Sequence, residues 1–152
     1  MLLSVFLLSR SIVYSQDFPR TADQRVYHLG LRAGEVANRI VSYLSGVFIY
    51  IQHRPTLQIT VGSASRAESI ASFLDPEPKT FRLSSERGFI TITGCYKTIP
   101  ISIVSIGMGS PNVDFFIREV RECLSGDMIV IRWVNFFVGH IDTRNITTNC
   151  ID

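Results

Sequence analysis

The stretch Thr60-Val61-Gly62-Ser63-Ala64-Ser65-Arg66 combines residue types whose spacing could do chemistry. A glycine at the C-terminal edge of a strand lets the backbone approach a ligand closely. The helix start expected after it offers unpaired N–H groups and the positive end of a helix dipole. Both favour an anion, and Arg66 could add a charge-assisted, bidentate contact. In outline this is a phosphate site. The pattern alone does not fix a function, because many α/β turns share it.

Arg87 and Arg132 are two further cations at element boundaries. Arg132 closes an apolar run, and strand C-termini line the crevice of open α/β sheets. A lone arginine is normally solvated or ion-paired. Three arginines converging on one anion would be a different matter, and spacing does not show convergence. The loop Gly107-Met108-Gly109-Ser110-Pro111 also follows a strand and opens a helix, so it could hold a sugar or phosphate by backbone contact. Its plainer reading is a tight turn with Ser110 as helix cap and Pro111 in the first turn. His28, His53 and His140 lack metal-ligand spacing, and no carboxylate pair brackets them. Cys95, Cys123 and Cys150 are too scattered for a disulfide framework or a zinc site. No nucleophile elbow, P-loop or full dinucleotide fingerprint is present.

The elements that must position these residues follow from the pattern. Residues 59–62 read as the end of a buried strand. Residues 65–74 predict a helix, with Ala67, Ile70, Ala71 and Leu74 at three-to-four spacing. Residues 89–96 and 101–106 predict a hairpin turning at 97–100. A second helix follows Pro111, with Val113, Phe116, Ile117, Val120 and Leu124 on one face. Residues 128–132 predict a buried strand of a layered α/β sheet. Residues 26–40 form a polar-apolar lead-in. Residues 41–58 turn abruptly aromatic and β-branched, with strand propensity at 46–52. Residues 133–152 show no periodicity, and Asn145-Ile146-Thr147 is a glycosylation sequon that matters only in a secreted chain.

Composition sets outer bounds. The chain has 152 residues, 46% hydrophobic and 18% charged, with net charge +2; mean hydropathy is +0.23. That is too apolar for disorder and suits one core. There is no basic run to bind a nucleic-acid backbone. No apolar stretch approaches the roughly 18–20 residues of a membrane span. Residues 1–25 read as an extension. Its apolar run at 2–8 is short for a secretory leader, and no basic residue precedes it. A cytoplasmic location is expected, with secretion as the alternative.

Taken in order, four stretches and a strand resemble the nucleoside phosphorylase superfamily, most closely its uridine phosphorylases. Val26-Tyr27-His28-Leu29-Gly30-Leu31 is similar to the family's N-terminal signature. Thr60-Val61-Gly62 through Arg66 is similar to its Gly-Asp-Pro-x-Arg phosphate loop. Ser85-Glu86-Arg87-Gly88-Phe89 is similar to its arginine-bearing turn. Residues 103–114, with Gly107-Met108-Gly109-Ser110-Pro111, are similar to its central glycine loop. Ile129-Val130-Ile131-Arg132 matches the strand entering its Arg-x-Gly-Ser/Thr turn. The resemblance covers residues 26–40 and 59–132.

It implies part of a three-layer α/β fold, a mixed central sheet flanked by helices. It implies phosphorolysis of uridine, or a related pyrimidine nucleoside, to ribose 1-phosphate and free base in nucleoside catabolism and salvage. The alternatives within the superfamily are a purine nucleoside phosphorylase or a nucleosidase. Inorganic phosphate would be the co-substrate, with no further cofactor. Gly62, Arg66 and Arg132 would hold phosphate. Arg87 would reach the phosphate, and His28 the ribose 5′-hydroxyl, of a neighbouring subunit in a homo-oligomer built from dimers. Met108 and Gly109 would face the ribose.

The departures are specific. Ser63 and Ala64 stand where the family has Asp and Pro, which alters loop rigidity more than anion contact. Residues 41–58 interrupt the match, and removing them joins Ile40 to Ile59 in a family-like run. Trp133-Val134-Asn135 replaces the expected glycine and hydroxyl residues, and the match ends there. The family's base-recognition residues lie beyond that point. On this reading the chain is an N-terminal portion of the enzyme, inactive alone. Valine codons begin GT, and glutamine can be coded CAG, so both anomalies fit translated intron in a mis-spliced transcript. The rival reading is a genuine insertion with a diverged tail.

Overall fold

The computed structural model describes residues 2–8, 19–37, 41–44, 47–50, 56–124, 128–134 and 146–151, with side chains described over 19–37, 57–124 and 128–132. His53 and His140 lie outside the described residues, as do parts of the expected 46–52 strand.

A mixed sheet organises the chain. β4 (Thr56–Val61) lies between β7 (Ile99–Ser105) and β8 (Met128–Val134), parallel to both. β6 (Ile90–Tyr96) pairs antiparallel with β7, and β5 (Phe81–Ser84) with β6. Beyond β8, β1 (Leu2–Leu8) and β9 (Ile146–Ile151) continue the sheet antiparallel. The short apolar run at 2–8 forms strand β1. A run that short suits a buried strand as well as a leader core. β2 (Val41–Leu44) and β3 (Val47–Tyr50) form a separate hairpin.

Strand alternation divides the core in two. Val61, Ile92, Ile101 and Ile103 face one way and pack on Ala67 and Ala71 of α1 (Ala64–Ala71). Val104, Ile106, Met128 and Val130 face the other way, against Val113, Phe116, Ile117 and Val120 of α2 (Ser110–Cys123). The result is the expected α/β layering, a sheet with one described helix against each core. Val26, Leu29 and Leu31 of the lead-in are 1% exposed or less and join the α2 core. A buried polar seam ties this segment to the sheet. The Ala37 amide donates to Ser102 Oγ at 2.7 Å, and Thr93 Oγ1 donates to the Glu35 carbonyl at 2.9 Å.

Three local details differ from expectation. α1 ends at Ala71, before Leu74. The hairpin turn is only Lys97 and Thr98, both at positive φ (49° and 68°), as a type I′ turn requires. Asp75 compensates by accepting the Lys97 and Thr98 amides at 3.2 and 3.0 Å. At α2, Gly109 rather than Ser110 is the N-cap. Its φ of 103° suits glycine, and no side chain caps the helix.

Candidate functional site

The carboxyl ends of the three parallel strands meet at one edge. β4 runs into Gly62 and then α1, and β7 runs into the loop 106–109 and then α2. Register sets Thr60 beside Val104 on one side and Arg132 on the other. Crevices outside such strand ends are where open α/β sheets bind ligands.

Four of the sequence-predicted residues converge there. A methyl group placed at Gly62 would lie 3.6 Å from Met108 Cγ, 3.8 Å from the Gly107 carbonyl oxygen and 3.9 Å from Arg66 Nη1. Arg132 Nη2 donates to that same Gly107 carbonyl at 3.4 Å. Gly62, Arg66, Met108 and Arg132 therefore surround one small space, with Gly109 at the mouth of α2.

The electrostatics of this space are one-sided. Arg132 Nη1 is buried and has no hydrogen-bond partner among the described residues. Burial holds the Arg132 guanidinium below its ordinary pKa, the cost of a charge withdrawn from water. Arg66 is exposed and pairs with no carboxylate among the described residues. The start of α1 has no acidic residue in its first turn, and Ser63 does not cap it; the Ser63 hydroxyl lies 3.2 Å from that of Ser65. The α1 amides, the helix dipole and two guanidinium groups all favour an anion here. No group of three His, Cys, Asp or Glu side chains converges as metal ligands among the described residues.

The other two predicted residues form a second cluster. The His28 ring stacks on Phe115, with centroids 4.1 Å apart and planes 8° apart, and meets Tyr27 edge-on. The Arg87 guanidinium sits 4.0 Å over the Tyr27 ring. Among the described contacts, none joins this cluster to Gly62, Arg66 or Arg132.

Sequence reasoning missed the residue beneath His28. Glu119 of α2 is 2% exposed and accepts the His28 amide (2.8 Å) and the Leu29 amide (2.7 Å), and its Oε1 lies 2.6 Å from His28 Nδ1. Its signal was available: a glutamate three residues after Phe116 and four before Cys123 falls beside the apolar face. A buried charge there must have partners.

No protein-family profile matches the chain. It is 26% identical to the uridine phosphorylase of Thermococcus kodakarensis over 106 residues, 70% of this chain and 31% of that protein. It is 27% identical to the DeoD-type purine nucleoside phosphorylase of Oceanobacillus iheyensis over 95 residues, 62% of this chain and 32% of that protein. A solved structure from a structural and catalytic study of two uridine phosphorylases of the oomycete Phytophthora capsici superposes with a TM-score of 0.56. It is 41% identical and covers 72% of this chain and 31% of that chain. The chain is related to the nucleoside phosphorylase superfamily.

The relationship covers part of the chain, which spans about a third of the length of the curated relatives it matches. The mixed α/β sheet agrees with a nucleoside phosphorylase fold over that part. No described helix is long and apolar enough to cross a membrane.

Proposed function

We propose that the strand-end cluster binds inorganic phosphate for phosphorolysis of a nucleoside, uridine first. The observation that carries this reading is Arg132 Nη1, a buried donor without a partner among the described residues, on a guanidinium whose Nη2 reaches the Gly107 carbonyl beside Gly62. A half-buried cation with an unsatisfied donor is costly unless a ligand completes it. Arg66, the α1 amides and Arg132 would hold the phosphate as nucleophile. Its oxygen bonds to C1′ while the glycosidic C–N bond breaks, and the base leaves with the electron pair. The enzyme's part is placing the anion and stabilising the cationic sugar.

His28 would contact the ribose 5′-hydroxyl and Arg87 the phosphate, both in a second copy of the chain, so a dimer is the unit. Met108 and Gly109 would line the ribose side. None of the described residues is assigned to the base. The purine relative supports a second reading, a purine nucleoside substrate.

Base release from uridine and inosine, with and without phosphate, tests this. Phosphate-dependent uracil release supports the first reading and hypoxanthine release the second. Release without phosphate contradicts both.

A further inference from the structure

We infer that Glu119 is a positioning residue that sets His28 as a hydrogen-bond acceptor at Nε2, so that this site selects a hydroxyl donor. The inference rests on the reading of His28 as a ribose contact. Both Glu119 oxygens take backbone donors: Oε1 lies 2.8 Å from the His28 amide, and Oε2 lies 2.7 Å from the Leu29 amide. Two adjacent amides aimed at one group favour a carboxylate, which only accepts. The third donor must then be His28 Nδ1–H, at 2.6 Å from Oε1. A neutral imidazole protonated at Nδ1 presents a lone pair at Nε2.

Three described groups surround the ring. Phe115 covers a face of the ring, Tyr27 meets it edge-on, and Glu119 occupies the Nδ1 side. The His28 side chain remains a quarter exposed (25%). Among the described residues Nε2 has no hydrogen-bond partner, and it is the ring nitrogen assigned here to a ligand. An acceptor there fits a sugar hydroxyl and disfavours a phosphoryl oxygen, which also only accepts. The arrangement thus selects a nucleoside over its 5′-phosphate. Arg87 lies over the Tyr27 ring, which meets His28 edge-on.

Nitrogen-15 NMR of the His28 ring tests this without ligand, with His28→Ala providing the assignment. The proposal requires an Nδ1–H tautomer in the wild type and a shift toward Nε2–H in Glu119→Gln. An Nε2–H wild type, or an unchanged Glu119→Gln, overturns it. If Glu119→Gln does not fold, the wild-type tautomer alone decides. A second measurement compares uridine with 5′-O-methyluridine, which cannot donate at that position. Wild type is expected to prefer uridine by about tenfold, with the preference lost in His28→Ala and narrowed in folded Glu119→Gln. Should uridine fail to bind while the tautomer holds, the ribose reading fails and the positioning role stands.

Discussion

Arg132 has two terminal nitrogens with different fates: one meets the Gly107 carbonyl, the other has no partner among the described residues. Function and stability therefore oppose each other at this residue. Arg132→Met keeps the stem and removes the charge. It is expected to be as stable as wild type or more so by about 1 kcal/mol in urea denaturation. Gly62 gives a complementary test. A methyl there meets only ordinary contacts of 3.6–3.9 Å. Gly62→Ala should fold like wild type and bind phosphate about tenfold more weakly in calorimetry, because the methyl occupies the approach. Glu35 governs acid stability of the lead-in. Burial pushes its carboxyl up, but Arg25 and the Arg32 amide overcome this and hold it below the ordinary 4.5. A lowered folded value stabilises in full above the ordinary pKa, and the gain is lost as pH falls through the folded one. Glu35→Gln should cost about 1–3 kcal/mol at pH 7. The gap to wild type should narrow as pH falls below 4.5 and close as it passes through the lowered folded value, in denaturant titrations.

Elements position these residues through close packing. The β6–β7 hairpin sets where β7 delivers the 106–109 loop, and Gly94 lets the hairpin pass under Thr80 and Leu74. A methyl at Gly94 would fall 2.9 Å from Thr80 Cγ2 and 3.0 Å from Leu74 Cδ1. Gly94→Ala is expected to destabilise by about 1–3 kcal/mol, measured by thermal unfolding. α2 buries Cys123, whose thiol desolvation pushes up to about 12, while Cys95 on β6 is half-buried. At pH 8, brief alkylation with peptide mapping should modify Cys95 well before Cys123. These elements were largely legible in the sequence, because three-to-four spacing in both helices and alternation in β6 each match one period. The Gly109 cap was not: a serine beside a proline carries the usual capping signal, and the backbone angle that displaced it is not written in residue type. The two-residue turn was hidden likewise, since Asp75, twenty-two residues away, holds it.

At the scale of the molecule, β4 joins the lead-in to the strand-end crevice, and its first residues fall inside the span that interrupts the family resemblance. Leu57 and Gln58 pair with β7 and β8 in register, and Gln58 is fully buried. If residues 41–58 are translated intron, cDNA will lack their codons and Ile40 will join Ile59; message that retains them makes the segment a true insertion. Of the candidate site, Gly62, Arg66, Met108 and Arg132 were named from local pattern and resemblance, but their convergence needed the sheet. Parallel pairing of strands some seventy residues apart brings Arg132 beside Thr60, and spacing does not encode that. Glu119 escaped notice because its partners lie ninety residues away. The central claim is that this convergence is an anion site completed by phosphate. Calorimetric titration of inorganic phosphate into wild type and Arg132→Met tests it most directly. The wild type should bind, and the variant should bind at least about tenfold more weakly. A wild type that does not bind, or a variant that binds equally well, would contradict the account.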